Sequence, residues 1–86
     1  KIIDFKNNTK IPGITIKSHS KGLAIVSIKK NGRFYDEGIT NDDIIISINN
    51  IPIKDHIHAI NIINSYYHGK RKLNLELLKK HKIMFL

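Results

Sequence analysis

The sequence has no cysteine among its 86 residues. Disulfide bonds and thiolate metal sites are therefore excluded, so the hydrophobic core must stabilise the fold alone, and the redox state of the compartment stays open. No apolar run is long enough to cross a bilayer, and no signal-peptide pattern is present. Without repeats, low-complexity segments or linkers, residues 1–86 are expected to form one small domain. A chain that begins at Lys1 rather than methionine indicates an excised piece of a longer protein.

Acidic residues are also scarce. Seven Asp and Glu stand against 15 Lys and Arg, which gives a formal net charge of +8. Such an excess of positive charge is typical of proteins that bind nucleic acid or an anionic membrane. The basic residues crowd near the end of the chain against a single acid, Glu76: they are Lys70, Arg71, Lys72, Lys79, Lys80 and Lys82. The nearby Tyr66 and Tyr67 are not interleaved with them, so no base-stacking platform is indicated and this function is kept only as an alternative.

Patterns for catalysis or metal binding are weak. Asp36-Glu37 and Asp42-Asp43 are sequence neighbours whose side chains diverge, so neither pair forms a facing acid and base. His56 and His58 fall on nearly opposite faces of a predicted helix, and no third ligand is evident. No serine has a nucleophile-elbow context. The sequence therefore predicts a domain that is not an enzyme and that needs no metal or other cofactor, although the parent protein can be an enzyme.

The most ordered pattern in the chain covers residues 38–50. Gly38 follows a short helical stretch around residues 34–37 and can end it in the left-handed conformation. The polar cluster at residues 40–43 predicts a turn. The β-branched run at residues 44–48 is too short for a buried helix and predicts a strand that is apolar on both faces, hence inside the sheet.

Strands and one helix are predicted around this centre. Residues 1–6 indicate a first strand, and a hairpin is expected from residues 15–18 and 23–28, joined by a turn. Asp55 is a good helix N-cap. Apolar residues then recur at helical spacing as far as Gly69, at Ala59, Ile60, Ile63 and Tyr67. Alternation after Gly69 predicts a further strand, a turn at residues 79–82 and a last short strand.

This order of elements resembles the PDZ domain family. The residues that match its central pattern are Gly38, Ile39, Asp43, Ile44, Ile48 and Asn49. Asp42 and Asn50 stand where the family usually has glycine, and both residue types tolerate the left-handed region. The resemblance implies an α+β fold, a curved antiparallel β-sandwich of five to six strands capped by two helices.

The resemblance also implies a binding site. The loop Ile11-Pro12-Gly13-Ile14 occupies the position of the family's carboxylate-binding loop, with Ile11 in place of the usual first glycine. Backbone N–H groups of such a loop bind the terminal carboxylate of a peptide that adds as a strand beside the second strand. Ile14 and Ile16 are expected to line the pocket for the last ligand side chain. The implied peptide-binding residues are Ile11, Pro12, Gly13, Ile14, Thr15, Ile16, Lys17, His56, Ile60 and Ile63.

Two registers compete for the start of the helical wall of this groove. An ungapped match to the family puts His58 first, whereas the apolar periodicity puts His56 first, and the periodicity is favoured because it also places Ala59, Ile60 and Ile63 at apolar positions. The implied partners are protein or peptide C-termini with an apolar last residue, with no small-molecule substrate. Subunit docking without a bound peptide is a third hypothesis.

The last strands and Phe34, four residues before Gly38, resemble bacterial members of the family. Those members belong to periplasmic serine proteases and type II secretion proteins. The resemblance alone therefore favours the bacterial envelope or periplasm.

Overall fold

The computed structural model describes residues 1–7 and 10–79. Its elements in chain order are β1 (Ile2–Asp4), β2 (Ile14–His19), β3 (Gly22–Ile28), α1 (Arg33–Asp36), β4 (Asp43–Ile48), α2 (His56–His68) and β5 (Lys72–Lys79). A five-stranded antiparallel sheet with two helices confirms the predicted α+β, PDZ-like fold. The last short strand predicted after residue 82 lies outside the described residues. Neither described helix is long and apolar enough to cross a membrane.

The strands are arranged in the order β1-β5-β4-β3-β2. β4 lies in the middle, and five of its six residues are buried, as a strand with two apolar faces requires. β2 forms one edge, with β3 as its strand partner. One side of β2 therefore carries backbone N–H and C=O groups that no strand of the described sheet pairs.

Two irregularities bend the sheet. One lies between Thr15 and Ile16 in the β2–β3 ladder, and the other lies between Ile45 and Ser47 in the β4–β5 ladder. Ser27 pairs with Thr15 and Ile25 with Ile16, so Val26 is left without a partner and remains exposed. Bulges of this kind increase the local twist and curve the sheet.

The turns follow the sequence prediction, except that only Asn50, and not Asp42, takes the left-handed conformation of the glycine that it replaces. Gly38 takes a φ of +77° just after α1, and Asn49 and Asn50 take φ values of 52° and 66°. Asn50 thus holds the left-handed conformation that a glycine would otherwise supply. Asp42 does not have a positive φ, so the absence of glycine there costs no backbone strain.

Helix α2 begins where its sequence predicts. The Asp55 side chain accepts hydrogen bonds from the N–H groups of Ile57 at 2.9 Å and His58 at 3.5 Å. Such a cap satisfies N–H groups that lack partners within the helix. At the other end Gly69 keeps a right-handed φ of −79°, and Lys70 takes the left-handed conformation with a φ of 53°. The helix therefore ends at the predicted glycine, but the next residue makes the reversal.

The core lies between the sheet, α1 and α2. Phe5 and Phe34 are fully buried in it, and Ala59 and Ile63 are the buried residues of α2. The edge of the Tyr67 ring packs against Phe5, with ring centroids 5.8 Å apart. These contacts fasten α2 over the sheet and set its distance from β2.

Candidate functional site

A groove runs between the free edge of β2 and helix α2. Ser18, near the end of β2, lies beside Lys54 and His56 at the start of α2. The beginning of β2 shares a cavity of about 510 Å³ with the last half of α2. The strand and the helix are therefore antiparallel, and the cavity occupies one end of the groove. It is lined by Ile11, Pro12, Gly13, Ile14, Thr15, Ser27, Lys29, Ile60, Ile63, Asn64, Tyr67 and His68.

The loop before β2 is fixed by its carbonyl groups. The Ile11 carbonyl accepts from the Arg33 N–H at 2.8 Å, and the Pro12 carbonyl accepts from the Phe34 N–H at 3.1 Å. The Gly13 carbonyl accepts from the Lys29 N–H at 2.8 Å. Three successive carbonyl oxygens are thus held by the segment from the end of β3 to the start of α1. A loop whose carbonyl groups are held by these hydrogen bonds is preorganised for a ligand.

The N–H groups of the same loop are left open. Among the described residues the Gly13 N–H has no hydrogen-bond partner, and Pro12 has no N–H to offer. Ile14 faces Ile28 in the ladder directly after the bonded contact between Gly13 and Lys29. Since bonded and non-bonded pairs alternate in an antiparallel ladder, the Ile14 N–H points away from β3, toward α2. The Gly13 and Ile14 N–H groups are thus the donors of this loop that remain for a ligand.

Gly13 cannot readily be replaced at this position. Its φ is +72°, in the left-handed region. A Cβ atom there would lie 3.0 Å from the Gly32 Cα atom and 3.3 Å from the Lys29 Cβ atom. Both the conformation and the close approach of the β3–α1 segment therefore require glycine.

The cavity walls combine apolar side chains from both elements. Ile14 is half-buried at the start of β2, and Ile60 and Ile63 face it from α2. Ile16 points to the same side of the strand as Ile14, but it is only 4% exposed and belongs to the core. Of the two, Ile14 lines the cavity and Ile16 does not.

The other end of the groove is polar. The Ser18 hydroxyl donates to the Lys54 carbonyl at 2.9 Å, and its oxygen lies 3.4 Å from His56 Nδ1. His56 is thus on the side of α2 that faces β2, in line with Ile60 and Ile63, whereas His58 is exposed two residues further on. Lys17 is exposed on β2. Lys17 and His56 lie beyond the cavity, which contains seven of the ten residues implied by the resemblance.

Five lining residues did not enter the sequence-based site: Ser27, Lys29, Asn64, Tyr67 and His68. The three residues on α2 could have been predicted from the sequence. Asn64 and Tyr67 follow Ile60 at spacings of four and seven residues, and His68 follows Asn64 at a spacing of four residues, which are the spacings of neighbours on a helix. Ser27 and Lys29 reach the cavity through the pairing of β3 with β2. That register depends on the bulge at Val26, which no pattern in the sequence indicates.

A second depression, of about 720 Å³, lies away from this groove and includes Ser47 and Glu76. Several of its polar side chains are bonded to one another or to adjacent residues. Ser47 donates to Glu76 at 3.1 Å, Lys1 pairs with Glu37, and Lys79 pairs with Asp43. The groove beside β2 is the stronger candidate, despite its smaller volume, because it offers unpaired backbone donors next to an apolar wall.

Some of the basic residues near the end of the chain form contacts within the domain. The Arg71 guanidinium stacks 4.3 Å from the centre of the Tyr66 ring, and Lys79 Nζ lies 3.4 Å from the buried Asp43 carboxylate. Lys80 and Lys82 lie outside the described residues. Part of this charge therefore has an intramolecular role.

The fold that carries this groove is a five-stranded antiparallel sheet with an open edge strand beside a helix and a loop held by its carbonyl groups. The model of the PDZ domain family matches residues 11–84. The chain belongs to the PDZ domain family, whose members are typically non-catalytic modules that bind proteins or peptides. A comparison with curated proteins gives no match.

Proposed function

We propose that this domain binds the free C-terminus of a protein or peptide, which adds as a further strand beside β2 in the groove below α2. The observation that carries the proposal is the loop 11–13, whose carbonyl groups are held by the β3–α1 segment while the N–H groups of Gly13 and Ile14 remain available. Donors fixed in place bind an anion without a further ordering cost. A terminal carboxylate is the anion that an incoming strand carries at its end.

The apolar wall supports an apolar last residue in the ligand. Ile14, Ile60 and Ile63 border the cavity immediately beside the loop. A cavity of about 510 Å³ is large enough for an aliphatic or aromatic side chain, with room for adjoining backbone. Upstream of this residue, the ligand backbone pairs with the open edge of β2.

The direct test compares one peptide in two forms by calorimetric titration. The free-acid form of a hydrophobic-ended peptide is expected to bind with an affinity on the order of micromolar, because a short added strand buries little surface. The amidated form is neutral at its end and brings donors of its own. Its affinity is expected to be about ten- to a hundredfold lower, since it loses charge-assisted hydrogen bonds.

Salt dependence separates this proposal from binding through the basic residues at 70–82. Bonds to fixed backbone donors at short range change modestly between low and high salt, whereas a nucleic-acid or membrane contact weakens steeply. Equal affinity for the acid and the amide would contradict carboxylate recognition. It would leave an internal peptide or a docking subunit as the occupant of the groove.

We also propose that the parent protein is a bacterial protease or secretion-type component. The support is the sequence form of β5 and the position of Phe34, which is fully buried four residues before Gly38. The sequence flanking residues 1 and 86 in the gene tests this proposal. An adjoining protease or secretion segment is expected, and an adjoining scaffold of another kind would contradict it.

A further inference from the structure

Three lysines surround the open end of the groove, at the end opposite the carboxylate-binding loop. Lys17 is exposed on β2, Lys21 is exposed in the turn after it, and Lys54 is exposed immediately before α2. The hydrogen bond from Ser18 to the Lys54 carbonyl holds the start of α2 against this end of β2. Lys17 and Lys54 therefore lie at this end of the groove, on β2 and just before α2, and Lys21 follows in the turn beyond β2.

Several cations elsewhere in the fold are neutralised by carboxylates. Lys1, Lys10, Arg33 and Lys79 each form an ion pair with a carboxylate. Within residues 1–7 and 10–79, no ion pair is found for Lys17, Lys21 or Lys54. Their positive charge is thus not neutralised by a carboxylate of the described fold.

The acidic residues of the chain explain this imbalance. All seven are in the described part, and six of them lie away from this end, on β1, at α1, at the start of β4 and on β5. Asp55 is the exception, but its carboxylate oxygen accepts the Ile57 and His58 N–H groups as the cap of α2. A capping carboxylate already satisfies helix donors near the positive end of the helix dipole.

The geometry points to a ligand that carries acidic side chains upstream of its apolar C-terminus, and this inference rests on the proposed function. β2 has six residues and a length of about 20 Å, so a strand that ends at Gly13 passes Lys17 and Lys54 roughly three to six residues before its terminus, and Lys21 lies beyond them in the turn. Aspartate or glutamate at those ligand positions would meet the uncompensated lysines. Electrostatic complementarity of this kind selects partners and speeds association.

The test uses three free-acid peptides with the same apolar last three residues. They carry glutamate, glutamine or lysine at the positions three to six residues before the end. In low salt the glutamate peptide is expected to bind about three- to tenfold more tightly than the glutamine peptide, and the lysine peptide more weakly still, because each exposed charge pair contributes modestly. The differences should shrink at high salt.

A charge exchange makes the test specific. The double variant Lys17→Glu with Lys54→Glu is expected to reverse the order, so that the lysine peptide binds more tightly than the glutamate peptide. Lys72→Glu is the control, because Lys72 is an exposed lysine on β5, which two strands separate from β2. Thermal unfolding of each variant checks that the fold persists, and the Lys72 variant should keep the original order.

The outcomes separate the two proposals. Equal affinity for the three peptides, together with a retained preference for the acid over the amide, would overturn the charge preference and leave C-terminal recognition intact. If Lys72→Glu reverses the order of the peptides as strongly as the double variant does, the preference arises from net charge. That result would overturn the local inference. Failure of every free-acid peptide to bind would overturn both.

Discussion

At the scale of single residues, Gly13 decides whether the loop can bind. Its φ of +72°, and the 3.0 Å that would separate a Cβ atom at this position from the Gly32 Cα atom, leave no place for a branched side chain. Gly13→Val is therefore expected to abolish binding of a free-acid peptide and to lower the free energy of unfolding by roughly 1 to 3 kcal/mol. Titration and thermal unfolding measure the two effects.

The control for this substitution is Lys30→Val, which places the same side chain at an exposed position of the neighbouring turn. It should leave both the affinity and the unfolding temperature nearly unchanged. A Gly13→Val protein that binds as tightly as the original would contradict the assignment of the loop.

Asp43 stabilises the turn before β4 from a buried position. It is 2% exposed, and its carboxylate accepts the Thr40 N–H at 3.1 Å and lies 3.4 Å from Lys79 Nζ. Asp43→Ala leaves the Thr40 N–H without this acceptor and is expected to cost roughly 1 to 3 kcal/mol of stability. Denaturant unfolding compares it with Asn41→Ala, at an exposed site two residues earlier. An equal, small loss of stability in both variants would show that the contacts of Asp43 do not stabilise the fold.

At the scale of elements, helix α2 depends on its cap. Asp55→Ala removes the acceptor for the Ile57 and His58 N–H groups and is expected to cost about 1 kcal/mol of stability. Asp55→Ser keeps a capping oxygen and should recover most of the loss. Thermal unfolding of the two variants checks this, and an equal loss in both would show that the charge of Asp55, not its capping bond, stabilises the helix.

The buried face of α2 sets the register of the groove. Ile63 is 2% exposed, so Ile63→Ala is expected to lower the free energy of unfolding by roughly 2 to 4 kcal/mol. Ser65 is exposed, and Ser65→Ala should be nearly silent. Equilibrium unfolding in denaturant measures both. A larger loss from Ser65→Ala than from Ile63→Ala would mean that the other face of the helix, which begins at His58, packs on the core.

Elements with strong local signals could be predicted from the sequence. The cap at Asp55, the reversal at Gly38 and the buried strand β4 each depend on residues within a few positions of one another. The burial of Ile16 could not be predicted in this way. Whether it lines the cavity or joins the core depends on how α2 packs over β2, and alternation along the strand only fixes the side to which it points.

The contribution of Ser27 and Lys29 to the cavity could not be predicted from the sequence either. Ser27 lies on β3 and Lys29 directly follows it, and both reach the groove because the ladder skips Val26. A bulge changes the register of every pair after it, and nothing in the composition of residues 22–28 marks its position.

At the scale of the whole molecule, positive charge and groove geometry make separate contributions to ligand binding. The +8 charge is a property of the full chain, whereas the open N–H groups belong to one loop. General attraction of anions would act on many surface lysines, but strand addition acts on one edge of the sheet. The binding site is therefore best located residue by residue in the intact domain.

The most direct measurement is a titration of the isotope-labelled domain with a hydrophobic-ended free-acid peptide, followed by NMR of the backbone amides. The largest shifts are predicted at the N–H groups of Gly13 and Ile14, with further shifts along β2 and at Ile60 and Ile63 of α2. An amidated peptide should leave the Gly13 and Ile14 signals nearly in place, because it does not offer a carboxylate to them. Shifts confined to residues 70–72, or to the depression around Ser47 and Glu76, with Gly13 and Ile14 unmoved, would contradict carboxylate recognition in this groove.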